Sequence, residues 1–343
     1  MASVCGRLAP SPTGLLHLGN AWSFLWAWTA ARVAGGRVLL RMEDIDPARS
    51  RKEWEDNIVR DLAWLGLDWD EEPVFQSNRF GLYEKACDHL KAEGLLYPCY
   101  CTRKELRELA GAPHGAADGL GDAGAAYPGT CRHLTAEQRA AKEATGRRPA
   151  WRLACPENKA GEELAGVSFE DAICGAQHMT FRSCGGDFAL RRSDGVWAYQ
   201  LAVAVDDMDM GVTQIVRGED ILCSTPRQLL LYELLAPLFG ETHMTFAHLP
   251  LLHDEEGERL AKRHNSMGLA ALRDAGKSAE GIVGFLAHKA GVAEQGESLS
   301  PAEAVERIQK KGGLPQLWKA LHEAGSAETL RVTAAEIAAL PLV

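Results

Sequence analysis

The feature that most constrains this chain is a strand, turn, helix, strand rhythm between Val4 and Met42. "VCGRLAP" is a short apolar run stopped by Pro10, as a buried strand would be. "SPTG" supplies turn chemistry. From His17 to about Ala34 the chain reads as a helix, apolar nearly all round and closed by Gly35 and Gly36. "RVLLRME" then reads as a second buried strand. Such a βαβ unit requires parallel pairing and a right-handed crossover, so the fold class is α/β with a Rossmann-like parallel sheet. The stretch from Ala21 to Ala34 is too short, and too often interrupted by polar residues, to span a bilayer.

Further along, residues 50–66 and 78–95 have the pattern of amphipathic helices. Residues 97–133 break it with "YPCYC", a glycine- and alanine-rich stretch and "YPGTC", as an insertion does. Residues 150–192 mix short strands and turns. "AYQLAVAVDDMDMG", "VTQIVRGED" and "STPRQLLLYELLAPLFG" resume the α/β rhythm, and "FAHLPLLHDEEGERLAKRH" gives a strand followed by a charged, flexible loop. Short helices are expected from Gly268, with the alanine-rich final twenty residues loosely ordered. The expected divisions are 1–96 and 191–267 as two halves of one catalytic domain, 97–190 as an insertion, and 268–343 as a helical C-terminal region.

Composition narrows the class. Nine unevenly spaced cysteines in 343 residues do not suggest a disulfide framework. With no apolar leader at the N-terminus, a reducing cytoplasm is the expected location. A net charge of −10 argues against a basic face all over, but not against a local one such as the cluster at 139–152.

Three segments carry chemistry. In "RLAPSPTGLLHLGNAW", Pro10 and Pro12 stiffen the backbone while Gly14 and Gly19 leave space above it. A nucleotide can then lie at a helix entrance, where unpaired amides and the macrodipole attract phosphate. His17 can donate to a phosphate oxygen, and Asn20 sits one turn on. Alone, the segment also fits an ordinary strand-to-helix turn. The loop "ERLAKRH" brings Arg259, Lys262 and Arg263, which can close over a polyphosphate. Cys99, Cys101 and Cys131 supply three of the sulfurs that structural zinc prefers. Tyr127 and His114 compete for the fourth position, and spacing favours Tyr127.

In order and spacing these segments resemble the two signatures of class I aminoacyl-tRNA synthetases, "HLGN" as the HIGH motif and "RLAKR" as the KMSKS motif. "RLAPSPTG" followed by "RMEDID" is similar to the glutamyl branch. The resemblance runs from about Arg7 to Met267, and only residues 264–343 follow the second motif. Because that leaves no room for a complete anticodon-reading module, the chain resembles the glutamyl-Q tRNA(Asp) synthetases in particular. The resemblance implies a ligase that activates L-glutamate with ATP, independently of tRNA, and transfers it to the queuosine base of tRNA(Asp), as a monomer without a membrane.

The resemblance also implies a site. His17, Asn20 and Lys262 would be catalytic. Arg7, Ala9, Ser11, Glu43, Tyr199 and Arg217 would bind glutamate. A side-chain carboxylate calls for a dedicated cation, preferably the planar fork of arginine, and an α-ammonium calls for an anion such as Glu43. ATP, with Mg²⁺, would meet His17, Gly19, Asn20, Arg259 and Lys262. One structural Zn²⁺ would sit on Cys99, Cys101, Tyr127 and Cys131. Arg259 and Ala261 depart from the family's lysine and serine. Two other readings remain: a truncated glutamyl-tRNA synthetase charging a tRNA 3′ end, and a non-catalytic, zinc-stabilised RNA-binding module.

Overall fold

Strand β1 (Cys5–Leu8), helix α1 (Leu18–Val33) and strand β2 (Arg37–Met42) form the expected unit, with the strands parallel and in register from Cys5 opposite Arg37 to Leu8 opposite Leu40. They belong to a computed structural model that describes residues 3–102, 104–106, 126–157, 165–260, 268–325 and 330–343. Helix α1 buries residues all round because it lies between strands β1 and β2 and a C-terminal helix. Its exit depends on glycine. Gly35 has a φ of +67°, and a Cβ on Gly36 would stand 2.5 Å from the Val4 carbonyl oxygen.

Helix α2 (Lys52–Trp64), strand β3 (Val74–Phe75), helix α3 (Phe80–Ala92) and strand β4 (Leu96–Cys99) follow. After helix α4 (Ala136–Glu143) come strands β5 (Ala150–Leu153), β6 (Gly166–Asp171), β7 (Gly175–Thr180) and β8 (Phe188–Arg191). Helix α5 (Tyr199–Asp209), strand β9 (Gln214–Gly218), helix α6 (Thr225–Phe239) and strand β10 (Thr245–Leu249) complete the α/β part. Then come helices α7 (Leu269–Asp274), α8 (Ala279–Lys289), α9 (Pro301–Lys310), α10 (Leu314–Gly325) and α11 (Ala334–Ala338).

Strands β1, β2 and β3 form one parallel set, and β9, β10 and β6 another, with β7 antiparallel at its edge. Thr213 N–H donates to Cys5 O at 2.9 Å, which sets the start of β9 beside β1. The β6–β7 hairpin joins this second set where Asp171 pairs with Phe246 of β10. Strands β4, β5 and β8 make a separate antiparallel sheet. No helix among the described residues is long and apolar enough to cross a membrane.

The C-terminal residues depart from expectation, because the chain's end is tied down rather than loose. His253 N–H donates to Leu330 O at 3.1 Å, Val332 N–H to His253 O at 2.8 Å, and Val343 N–H to Gly276 O at 2.9 Å. Leu330, Val332, Ile337 and Leu340 are buried, and a Thr333–Glu336 capping box starts α11. Apolar residues spaced among the alanines carry that burial.

Candidate active site

The C-terminal ends of parallel strands are where open α/β sheets receive ligands. Here β1, β2, β9 and β10 place Arg7, Glu43, Arg217 and His248 at that end. His17 is the N-cap of α1. Its Nδ1 accepts from Gly19 N–H at 3.1 Å, and its own N–H donates to Asn20 Oδ1 at 3.1 Å, a reciprocal capping box. An accepting Nδ1 in a neutral ring puts the proton on Nε2. A Cβ on Gly19 would stand 2.9 Å from His17 Cε1, so the close approach of the ring requires glycine there.

The described residues on either side of the basic segment, Leu260 and Gly268, meet this same turn. Gly268 bridges His17, Leu269 N–H donates to Leu16 O at 2.9 Å, and Leu260 O lies 3.6 Å from where a Gly19 Cβ would stand. Lys262 and Ala261 lie outside the described residues, as does His114. Arg259 forms an ion pair with Asp220 at 2.6 Å.

Behind the turn lies a buried charge network. Arg41 is fully buried, with Nη1 donating to Asp207 at 2.6 Å and Nη2 to Glu43 at 3.2 Å. Arg7 Nε stands 3.5 Å from the same Asp207, and Arg7 Nη1 donates to Val216 O at 3.3 Å. Burial pushes the Glu43 carboxyl above its usual value, although Arg41 and Arg7 pull the other way. At Asp207 burial also pushes upward, but the two guanidiniums outweigh it and hold the group ionised. Asp206 binds Arg79 at 2.7 Å, Gln76 at 2.8 Å and the Tyr83 hydroxyl.

Arg217 differs from the other two arginines. It is buried, yet its partners among the described residues are all neutral: His248 Nε2 at 3.0 Å, Gln228 Oε1 at 2.7 Å and Thr225 Oγ1 at 2.8 Å. A buried cation whose hydrogen bonds all go to neutral acceptors has charge left with which to attract an anion. Three of its five N–H groups are used, and a carboxylate fork needs two.

The cysteine cluster lies in the other sheet, where β4 ends at Cys99. The sulfurs of Cys99, Cys101 and Cys131 all lie within 4.8 Å of one another, so the cluster could hold a metal ion. Sulfurs at about 2.3 Å from a tetrahedral zinc stand about 3.8 Å apart, and Cys101 and Cys131 stand at 3.6 Å. Tyr127 Oη is 3.4 Å from Cys99 Sγ and 3.8 Å from Cys101 Sγ. It accepts from Cys131 N–H at 2.9 Å, and Arg152 lies 4.1 Å above its ring. Burial and the Cys99 sulfur hold the Tyr127 hydroxyl well above its usual value, against the pull of the Cys131 N–H, so its proton leaves only for a bound cation. The donor set fits zinc.

Comparison with known proteins decides the family. The model of the class I tRNA synthetases (E and Q), catalytic domain, matches residues 3–323. The chain belongs to that family. It is 56% identical over 308 residues to a glutamyl-Q tRNA(Asp) synthetase of Nitratidesulfovibrio vulgaris, covering 88% of this chain and 90% of the relative. It is 41% identical to a glutamate–tRNA ligase of a Synechococcus strain, covering 88% of this chain but 60% of that protein. The crystal structure of a glutamate–tRNA ligase from Elizabethkingia meningosepticum in complex with its amino acid superposes with a TM-score of 0.74 at 25% identity, covering 98% of this chain and 68% of that one.

In this synthetase fold, Arg7, Glu43 and Arg217 converge on one buried centre. Tyr199 begins α5, while Ala9 and the exposed Ser11 lie in the turn after β1. Sequence reasoning missed Arg41, Asp206 and Asp207, and also Thr225, Gln228 and His248. The doublet in "LAVAVDDMD" was a usable signal, because two acids in so apolar a helix must be compensated.

Proposed function

We propose that this chain activates L-glutamate with ATP, without tRNA, and transfers the glutamyl group to the queuosine base of tRNA(Asp). Arg217 carries the reading: a buried guanidinium with neutral partners and two N–H groups left for a carboxylate. Support for the acceptor comes from relatives named glutamyl-Q tRNA(Asp) synthetase, at 56% and 51% identity, against 41% for the glutamate–tRNA ligase.

In this reading the side-chain carboxylate of glutamate meets Arg217, with Arg7 adding positive potential, and the α-ammonium meets Glu43 and the Tyr199 hydroxyl. Ala9 and Ser11 line the turn beside it. ATP, as its magnesium complex, lies over the α1 N-terminus against Gly19 and Asn20. There His17 Nε2–H, Arg259 and Lys262 neutralise its phosphates. A glutamate α-carboxylate oxygen attacks the α-phosphorus, the bond to pyrophosphate breaks, and glutamyl-adenylate forms. A hydroxyl of the modified base then attacks the adenylate carbonyl, and AMP leaves. Zinc on Cys99, Cys101, Tyr127 and Cys131 would cross-link the segment that follows β4. The chain works in the cytoplasm as a monomer.

The test uses radiolabelled glutamate, ATP and tRNA(Asp) with or without queuosine. Label is expected only on the queuosine-bearing tRNA, and it should persist on tRNA whose 3′-terminal adenosine has been removed enzymatically, which leaves the diol of the modified base intact. Equal labelling of both tRNAs, or of tRNA(Glu), would overturn the acceptor assignment.

A further inference from the structure

Arg217 is held by a chain of buried groups that the reaction as described does not use. Strands β9 and β10 pair with His248 directly opposite Arg217. Arg217 Nε donates to His248 Nε2 at 3.0 Å. A guanidinium can only donate, so Nε2 carries no proton and the ring's hydrogen is on Nδ1. His248 Nδ1 then donates to Asp171 Oδ2 at 2.6 Å. The other oxygen, Oδ1, accepts from the backbone N–H groups of Ile173 at 3.0 Å, Cys174 at 2.8 Å and His248 at 3.1 Å. All three side chains are at most 5% exposed.

The protonation states agree with this geometry. Burial pushes His248 below its ordinary value, Arg217 adds to that, and the opposing pull of Asp171 does not reverse it. Burial alone would raise the Asp171 carboxyl. The hydrogen bonds from His248 and the backbone outweigh that and hold it at about 2.

We propose that Asp171 and His248 are positioning residues for Arg217. Asp171 fixes the Nδ1–H tautomer of His248, and the Nε2 lone pair fixes the rotation of the guanidinium that receives the substrate's side-chain carboxylate. The inference rests on the assignment of Arg217 to glutamate made above. It also accounts for selection against glutamine. A guanidinium held in one rotation presents two donors to the incoming group, and an amide nitrogen has no lone pair to give them.

Asp171→Asn is a near-isosteric test. The three backbone donors keep the amide oxygen at the Oδ1 place, so the NH₂ faces His248 Nδ1. The ring must then accept at Nδ1 and carry its proton on Nε2, against the N–H of Arg217. ¹⁵N NMR of the zinc-loaded full chain, with the His248 signal identified by its loss in His248→Gln, is expected to show Nδ1–H in the wild type and Nε2–H in Asp171→Asn.

In pyrophosphate exchange the KM for glutamate is expected to rise roughly tenfold or more while the KM for ATP stays within about twofold. His248→Leu should behave likewise, and His248→Gln, whose Oε1 can accept from Arg217, should recover most of the loss. If Asp171→Asn does not fold, the Leu and Gln variants decide. An unchanged tautomer in Asp171→Asn, equal effects on both KM values, or no recovery in His248→Gln overturns the inference. A wild type that activates no glutamate instead overturns the function proposed above. Normal kinetics in these variants beside an inactive Arg217→Ala overturn the positioning role alone.

Discussion

Three buried arginines lie close together here, and what distinguishes them is the charge of their partners. Arg41 and Arg7 both face Asp207, so each already has an anionic partner within the protein. Arg217 faces a histidine, an amide and a hydroxyl. Removing Arg217 should therefore affect substrate more than fold. Arg217→Ala is expected to abolish glutamate-dependent pyrophosphate exchange, a loss of about 3–5 kcal/mol for a desolvated charge pair. Exchange close to wild type in that variant would take Arg217 out of the site. Arg7, Glu43 and Arg217 could be picked out as candidates because each stands in a motif with its own spacing. The Arg41–Asp207 pair was not, since its members lie far apart in sequence and only the fold brings them together. His248 is one histidine in an apolar strand, and Asp171 is one acid at a strand end. Neither has a local pattern that announces a pair.

At the scale of elements, α1 links sequence to site most directly. Its apolar surface on all sides was readable as a helix buried all round, and the sheet and the C-terminal helices supply the cover. Its start presents His17 through a capping box, and its end turns on two glycines into β2. Gly36→Ala would drive a Cβ into the Val4 carbonyl, a backbone atom on the chain entering β1. The β1–β2 register must shift to accept it, and Arg7 and Glu43 lie on those same two connections. A loss of about 1–3 kcal/mol is expected, read as a lower denaturant midpoint with an unchanged slope. An unaltered midpoint would show that the turn relaxes without moving the strands. The C-terminal tail teaches the converse. Its alanine content suggested looseness, but a pairing through His253 and one capping box were enough to dock it, and pairing partners remote in sequence leave no local trace.

Over the whole molecule, the proposed chemistry and the proposed metal belong to different sheets. The groups proposed to form the adenylate sit on β1, β2, β9 and β10, while the cysteine cluster is attached to β4 in the antiparallel β4–β5–β8 sheet. The two are joined through the body of the chain and share none of the named site residues. Metal bound by three thiolates and a phenolate contributes folding free energy locally, so its removal should loosen the segment after β4 before it disturbs the parallel strands. Wild-type protein is expected to carry one zinc per chain by elemental analysis. Cys131→Ser, which removes a sulfur 3.6 Å from Cys101, should lose it. That variant should keep most of its glutamate-dependent pyrophosphate exchange, because the activating residues remain in place. It should lose transfer to tRNA if the small sheet and the segment after β4 help to place the acceptor base. Equal loss of exchange and transfer would mean that the two sheets fold as one cooperative unit, with the metal holding both.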